Sequence, residues 1–337
     1  MLITVLGSCD ILDTVAHAVA DPYDVFLCPS PYYSRIQSDM FERSLVDVFP
    51  IPLTSKLEKG DTKQFQLTAA KVENAYNDAK QQGKNVRGVV IMNPCNPLCC
   101  VYTSEELLPI LEFAKTKEMW VIMDEIYMLS LASDFQARNK EKAFSIFSFY
   151  DRLPDSERTV WLWGLSKDFG MPSMRVSFAH TPNKALYKVF DVLAMFQAVP
   201  FILHPVVEKI LSDYEWLDTV FFPTIQSRLS ENRTFLRTSL AELGIPSLEP
   251  EGGLFLFANF TKYLRKCTFE DEQWLFDQIF KDTKVYFVPG KQLLCVEPGW
   301  YRLIYAVAPE TLREGVERLK TYLKQLPVAN HQKKDHC

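Results

Sequence analysis

The feature that most constrains this chain is a rhythm of short, nearly continuous apolar runs alternating with longer stretches of helical periodicity. LITVL (2–6), DVFLC (24–28), VRGVVIM (86–92), MWVIM (119–123), TVWLWG (159–164) and RVSFAH (175–180) are the apolar runs. YSRIQSDMFERSL, TAAKVENAYNDAKQQG and SEELLPILEFAKTKE are among the helical ones. A strand that is apolar on both faces has to be covered on both faces. Such strands belong in a mostly parallel sheet between helical layers, so the pattern predicts an α/β domain. Gly83 closes one predicted helix, and Ser104, followed by glutamates, opens another. LITVL starts at residue 2 and reads as a buried core strand, so a further segment is expected ahead of it.

Beyond about residue 181 the texture changes. Helical patterns run to Gly244, including the long FPTIQSRLSENRTFLRTSLAELG. GLFLFANF (253–260), KVYFV (284–288) and YRLIYAV (301–307) then alternate with two helices, as in a smaller α+β unit. The expected division is a large domain over 1–200, a smaller C-terminal domain with its connecting helices over 201–327, and a disordered tail over 328–337.

Composition excludes several function classes. Net charge is −5, from 37 basic and 42 acidic residues, and no basic block stands ready to counter phosphates, so nucleic acid is not an expected partner. No apolar run reaches the ~18 residues of a membrane helix. Eight cysteines and five histidines are spread without metal-ligand spacing, so no metal site is expected. Thiols in apolar surroundings fit a reduced, cytoplasmic protein.

In open parallel sheets, ligands bind beyond the carboxyl ends of the strands. GSCD follows LITVL, with Ser8 and Cys9 opening a helix. PSPYYS, with Tyr32 and Tyr33, follows DVFLC. NPCNPLCC, with Asn93 and Asn96, follows VVIM. DEIY, with Asp124 and Tyr127, follows WVIM. LSKDFG, with Ser166 and Lys167, follows WLWG. Each alone is an ordinary loop, cap or turn signal. A lone lysine is usually solvent-facing.

The ordered set NPCNPL, DEIY, SKDFGMPSMRV and EPGWYR resembles the fold-type I pyridoxal-phosphate enzymes, the class I/II aminotransferases, and specifically their 1-aminocyclopropane-1-carboxylate synthase-like branch. The likeness runs over about residues 2–325. It implies a pyridoxal-phosphate-dependent transferase fold, with a three-layer large domain and a smaller α+β domain, and pyridoxal 5'-phosphate as cofactor. By the same likeness, catalytic roles fall to Lys167 as covalent Schiff-base anchor, to Asp124 against the ring nitrogen, and to Tyr127. Cofactor contacts fall to Ser8, Cys9, Tyr33, Asn96, Ser166 and Arg175, with Arg302 gripping the substrate carboxylate. The implied function is transamination or elimination on a small-molecule α-amino acid, by a homodimer.

Several positions depart from the family pattern. The family has a segment ahead of the first strand that this chain does not show, so the sequence reads as a fragment or short form. Asp10 falls in the phosphate cup, where a carboxylate facing a phosphate is repulsive unless it turns outward as a first-turn helix acid. Cys99, Ser173 and Ser177 stand where glycine is usual, and Gly164 stands where many relatives have a serine. These departures support an alternative: a catalytically impaired relative that persists as a dimeric binding or scaffold protein.

Overall fold

The computed structural model describes residues 1–326. The expected tail at 328–337 lies outside them. The first half alternates strand and helix: β1 (Leu2–Val5), α1 (Ser8–Val19), β2 (Val25–Ser30), α2 (Arg35–Ser44), β3 (Asp47–Pro52), α3 (Ala69–Gln81), β4 (Val86–Met92), α4 (Ser104–Thr116) and β5 (Trp120–Asp124). Then come α5 (Ser133–Arg138), β6 (Thr159–Gly164), α6 (Leu165–Asp168), β7 (Ser177–His180) and α7 (Lys184–Gln197). The remainder holds α8 (His204–Ser212), α9 (Tyr214–Trp216), α10 (Phe222–Glu242), β8 (Phe255–Asn259), α11 (Phe269–Thr283), β9 (Val288–Pro289), β10 (Trp300–Ile304) and α12 (Pro309–Leu323).

The large sheet has seven strands in the order β1-β7-β6-β5-β4-β2-β3. Only β7 runs against the others. Strand residues alternate between two cores, as a period of two requires. Leu27, Val89, Ile91, Val121 and Met123 face α3 and α4, where Val72, Ala75, Leu107 and Ile110 wait. Phe26, Val90, Met92 and Ile122 face α1, α2 and α7, represented by Ile11, Val15, Ile36, Met40 and Phe190. This is the three-layer α/β arrangement.

The structure corrects four details. LITVL is an edge strand: β1 pairs only with β7, and Leu2 is 60% exposed. β3 was not foreseen, because DVFPIP carries two prolines. At the opposite edge, Pro50 and Pro52 are exposed and cost no ladder bond that an edge strand needs. The cap of α4 is Thr103, one residue before Ser104, in a capping box with Glu106. KVYFV supplies only Val288 to β9, because Lys284 (φ +61°) is the left-handed cap that closes α11.

The small antiparallel sheet has the order β8-β10-β9. Leu256, Ala258, Tyr301 and Leu303 pack on α10, α11 and α12. The other face turns toward the large sheet's cores: Phe257 stacks on Trp300 (5.2 Å between centroids), and Trp300 meets Phe65 edge-on at 5.1 Å. That docking holds Arg302 of β10 over the edge of the large sheet. Cys9, Cys28, Cys95, Cys99, Cys100 and Cys295 are free thiols, and Cys267 is disulfide-bonded. Among the described residues, no single helix is long and apolar enough to cross a membrane, and no cluster of candidate metal ligands occurs.

Candidate functional site

Five parallel strands end at one edge of the large sheet, and β10 approaches that edge from above. Tyr33, Asn96, Tyr127, Ser166, Lys167 and Arg302 line a single cleft there, of ≈ 540 Å³. Asp124 is buried beside it at the end of β5. Ser8, Cys9 and Arg175 lie at its rim, close enough that Cys9 and Arg175 both influence the Lys167 amine. Six of the ten residues given site roles therefore line one cleft, Asp124, Cys9 and Arg175 lie near enough to act on the Lys167 amine, and Ser8 opens the adjoining helix α1.

Lys167 is presented by α6, a single turn pinned at both ends. Leu165 N–H donates to the Val176 carbonyl (3.1 Å), and Gly170, at φ +63°, donates back to the Lys167 carbonyl (3.1 Å). The lysine is accessible from the cleft, yet the protein around it desolvates its amine and lowers its pKa. Arg302 adds to that fall, Asp124 and Cys9 oppose it, and Arg175 again lowers it. The turn's other anchor is Asp168, which sequence reading passed over. Its buried carboxylate accepts from Ser130 Oγ (2.6 Å), Leu129 N–H (3.0 Å) and Trp163 Nε1 (2.8 Å), tying the loop after β5 to the lysine turn. Burial raises its pKa to about 6 against those three donors.

Asp124 and Glu125 are consecutive buried acids that face opposite ways. Glu125 turns from the cleft to accept from Ser145 Oγ, Ile146 N–H and Trp161 Nε1 at 2.7–2.9 Å. The Asp124 carboxylate accepts only the Ile126 N–H (3.1 Å) among the described residues and lies near Lys167. Burial is the main reason its pKa rises to about 7. Tyr127 is buried, packs edge-on against Phe255 at 5.5 Å, and has its phenol pKa pushed up by burial, so its hydroxyl is a donor. The two asparagines after β4 divide the work. Asn93 is a loop clamp, donating to the carbonyls of Tyr102 and Phe144. Asn96 faces the cleft and accepts from Arg302 Nη1 at 2.8 Å.

Arg302 lies above the Phe255 ring, 5.3 Å from its centroid, and its buried Nε has no hydrogen-bond partner. An orphaned guanidinium N–H is costly unless a ligand completes it. At the rim, Gly7 caps α1 without a side chain, leaving the first backbone N–H groups of Ser8 and Cys9 at the positive end of the helix. A Cβ at Gly7 would stand 2.0 Å from Arg175 Nη2, so the guanidinium lies directly over the helix start. A helix N-terminus beneath an arginine is a cradle for a phosphate. The Asp10 N–H already donates to Gly7 O (3.1 Å). The Asp10 side chain is half-buried with its pKa raised by burial, while Arg175 pulls it down. Cys9 contacts Asp39, and burial together with that carboxylate pushes its thiol up to about 12. Asp39 itself is held by Arg35 at 2.8 Å.

Two departures acquire a physical reading here. Cys99 adopts φ +59°, a conformation that favours glycine, and its thiol donates to the carbonyls of Phe255 (2.9 Å) and Pro97 (3.2 Å). Gly164 and Ser177 are direct partners across β6 and β7, and a Cβ on Gly164 would stand 2.3 Å from Ser177 Oγ. A Cβ there would also stand 2.8 Å from the Val176 carbonyl oxygen, so backbone and Ser177 together leave room only for glycine at 164. Ser173, exposed in the turn at 172–174, carries neither constraint.

The donor set fits pyridoxal phosphate: an amine of lowered pKa, a buried acid beside it, a phosphate cradle at the rim and an under-bonded arginine opposite. Comparison with known proteins agrees at the level of family. The family model for aminotransferase class I and II matches residues 1–319. The human "Probable inactive 1-aminocyclopropane-1-carboxylate synthase-like protein 2" is 35% identical over 319 residues, which is 95% of this chain and 55% of that protein. The Arabidopsis thaliana "1-aminocyclopropane-1-carboxylate synthase 6" is 30% identical over 317 residues, 93% of this chain and 61% of that protein. The chain thus spans little more than half the length of these curated relatives. Among solved structures, the aspartate aminotransferase of Rhizobium meliloti superposes with TM-score 0.80 at 21% identity, covering 97% of this chain and 77% of its own. An aromatic aminotransferase from Pyrococcus horikoshii gives 0.79 at 22%, covering 96% and 79%. At these identities the likeness establishes the fold.

Proposed function

We propose, from the premise that this chain belongs to the class I and II aminotransferase family, that it binds pyridoxal phosphate through Lys167 and acts on a small-molecule α-amino acid by transamination or elimination. The family is pyridoxal-phosphate dependent. One observation carries the reading: Lys167 and Arg302 line a single cleft, and Asp124, Arg175 and Arg302 all lie close enough to the Lys167 amine to shift its pKa.

When bound, the cofactor supplies an electron sink for bond breaking at the substrate α-carbon. The chain's own residues do the rest. Arg175, the N–H groups of Ser8 and Cys9, and the Ser166 hydroxyl would hold the phosphate. Asp124, whose pKa stands near 7, would hold a proton at the ring nitrogen. Tyr127 and the Asn96 amide would donate to the ring hydroxyl oxygen, and Tyr33 would cover one ring face. Lys167, once free, has a lowered pKa suited to taking and returning the α-proton. Arg302 would take the substrate carboxylate in its planar fork.

Asp10 favours a second reading, a relative that holds ligand but turns over poorly. The printed name of the human relative points the same way. Borohydride treatment of the cofactor-loaded chain, then peptide mapping, tests the first reading. A pyridoxyl tag on Lys167 is expected, and tags only on other lysines would overturn it. A second copy of this chain is the proposed partner. Val192, Met195, Phe196, Phe201, Ile202 and Val206 form an exposed apolar stretch on α7, α8 and the turn at Phe201–Leu203 between them, and an exposed stretch of that kind marks an interaction surface. Light scattering with Phe196→Asp, which should give monomer, checks it. The free thiols support a cytoplasmic location, with the disulfide-bonded Cys267 counting the other way.

A further inference from the structure

The turn that presents Lys167 is gripped on two sides. On one side Asp168 accepts from Ser130 Oγ, Leu129 N–H and Trp163 Nε1. On the other stands Phe169, which is buried and lines the cleft. Its ring stacks on Phe221 at 4.7 Å between centroids, and meets Phe222 and Trp163 edge-on at 6.0 and 5.9 Å. Trp163 therefore serves both grips. Phe221 stands behind Phe169, outside the set of described residues that line the cleft.

Local sequence explains how one ring receives two consecutive phenylalanines. Helix α9, a π-helical turn at Leu217–Phe221 and α10 follow one another without a break from Tyr214 to Glu242. Pro223 has no N–H to give the carbonyl four residues back, so the ladder opens just ahead of it. In a regular helix, neighbours in sequence point about 100° apart. The widened turn lets Phe221 and Phe222, 5.4 Å apart, both reach Phe169. From there α10 continues to the small domain. Ile225 and Leu229 face the cleft, and Leu236 and Leu240 are buried in the small-domain core with Leu256 and Tyr301. Arg302 lies on β10 of that same domain. One helix thus joins the lysine turn to the domain that holds Arg302, and each contact along it is made within the one chain.

We propose that Phe221 is a positioning residue: acting through Phe169, it holds the Lys167 turn in the cleft and ties its place to that of α10. The inference rests on the proposed function for the role of Lys167 and adds a residue outside the cleft that governs it. Without the Phe221 ring, one of the two grips is lost and the lysine can swing toward water. Burial is the main cause of the amine's lowered pKa, and the charged or titratable groups that act on it are Arg302, Asp124, Cys9 and Arg175. An amine that moves into water sheds the desolvation and recovers a higher pKa. A residue that merely fills space would lower stability and leave the amine where it is.

The test uses the full chain without cofactor. Lys167 is labelled with acetic anhydride from pH 7 to 10 and quantified by peptide mapping, beside urea melts. The variants are Phe221→Ala, Phe221→Leu, which keeps most of the volume but not the stacked ring, and Val72→Ala, a core truncation on the α3 side of the sheet. In Phe221→Ala the labelling midpoint should move up, so that labelling at pH 8 falls at least about threefold. Phe221→Leu should move it the same way by less, and carries the readout alone if the alanine variant does not fold. Val72→Ala should lower the melt and leave the midpoint in place. An unmoved midpoint in the Phe221 variants, or an equal shift in Val72→Ala, makes Phe221 an ordinary packing residue and overturns the proposal. The proposed function is judged separately, by the borohydride tag on Lys167 in the cofactor-loaded parent, so the two can fail independently.

Discussion

Gly7→Ala isolates the phosphate cradle with one methyl group. The added Cβ would stand 2.0 Å from Arg175 Nη2 and 2.9 Å from Cζ, so the guanidinium must retreat by more than 1 Å to reach ordinary contact. The fold loses little by that retreat. Arg175 is exposed, its one side-chain bond among the described residues is a long 3.4 Å contact to the Pro172 carbonyl, and Gly7 sits at an extended φ of 160° that alanine also adopts. Alanine is a poorer N-cap than glycine by up to about 1 kcal/mol, partly offset by lower unfolded-state entropy. Folding stability should therefore stay within about 1 kcal/mol of the parent. Cofactor binding should suffer far more. A hydrogen bond between charged groups contributes about 1.5–3 kcal/mol, so affinity should fall roughly 10- to 150-fold. The assay is equilibrium titration of pyridoxal phosphate into parent, Gly7→Ala, Arg175→Gln and the double variant, beside urea melts of each. In the Arg175→Gln background the alanine should cost less than about twofold, because the clashing group is gone. Unchanged affinity in Gly7→Ala, or an equal loss in the Arg175→Gln background, would refute the placement of Arg175 over the phosphate.

Asp10→Ser removes a half-buried carboxylate that interacts with Arg175. Pyridoxal-phosphate affinity should rise severalfold in the same titration; no change would mean that Asp10 acts only as a first-turn helix acid. Asp124 has a folded pKa near 7 against about 3.9 in an unfolded chain. The cofactor-free native state therefore binds the extra proton, and this group's contribution to stability is lost as pH rises from about 4 to 7. Asp124→Asn should flatten that decline by at most about 1.4 kcal/mol per pH unit, read from urea melts at pH 5.5 and 7.5. Arg302→Lys keeps a charge but loses the planar fork, so amino acids should bind roughly tenfold more weakly while cofactor affinity holds; equal loss of both would make the residue structural.

The strand rhythm determined most of the large domain from sequence alone. VRGVVIM is β4 and TVWLWG is β6 residue for residue, because a strand buried on both faces has no polar alternation to confuse its limits. The residues at the strand ends were legible for a related reason: a polar group following directly on a buried strand stands at the sheet's binding edge. Sequence failed where one residue type serves two environments. Prolines that would break a central strand are harmless at the edge in β3, and LITVL is as apolar as a core strand while lying half-exposed beside β7. Asp168, adjacent to Lys167 in one motif, looks no different from a surface acid until Ser130 and Trp163 close on it. Nor could spacing reveal that Ser177 and the Val176 carbonyl leave no room for a side chain at Gly164, or that Gly7 lies under an arginine 168 positions away. Those facts are distances between segments remote in the chain. Local propensity carries no information about them; only the packing of the sheet, its helices and the docked β10 brings the atoms together.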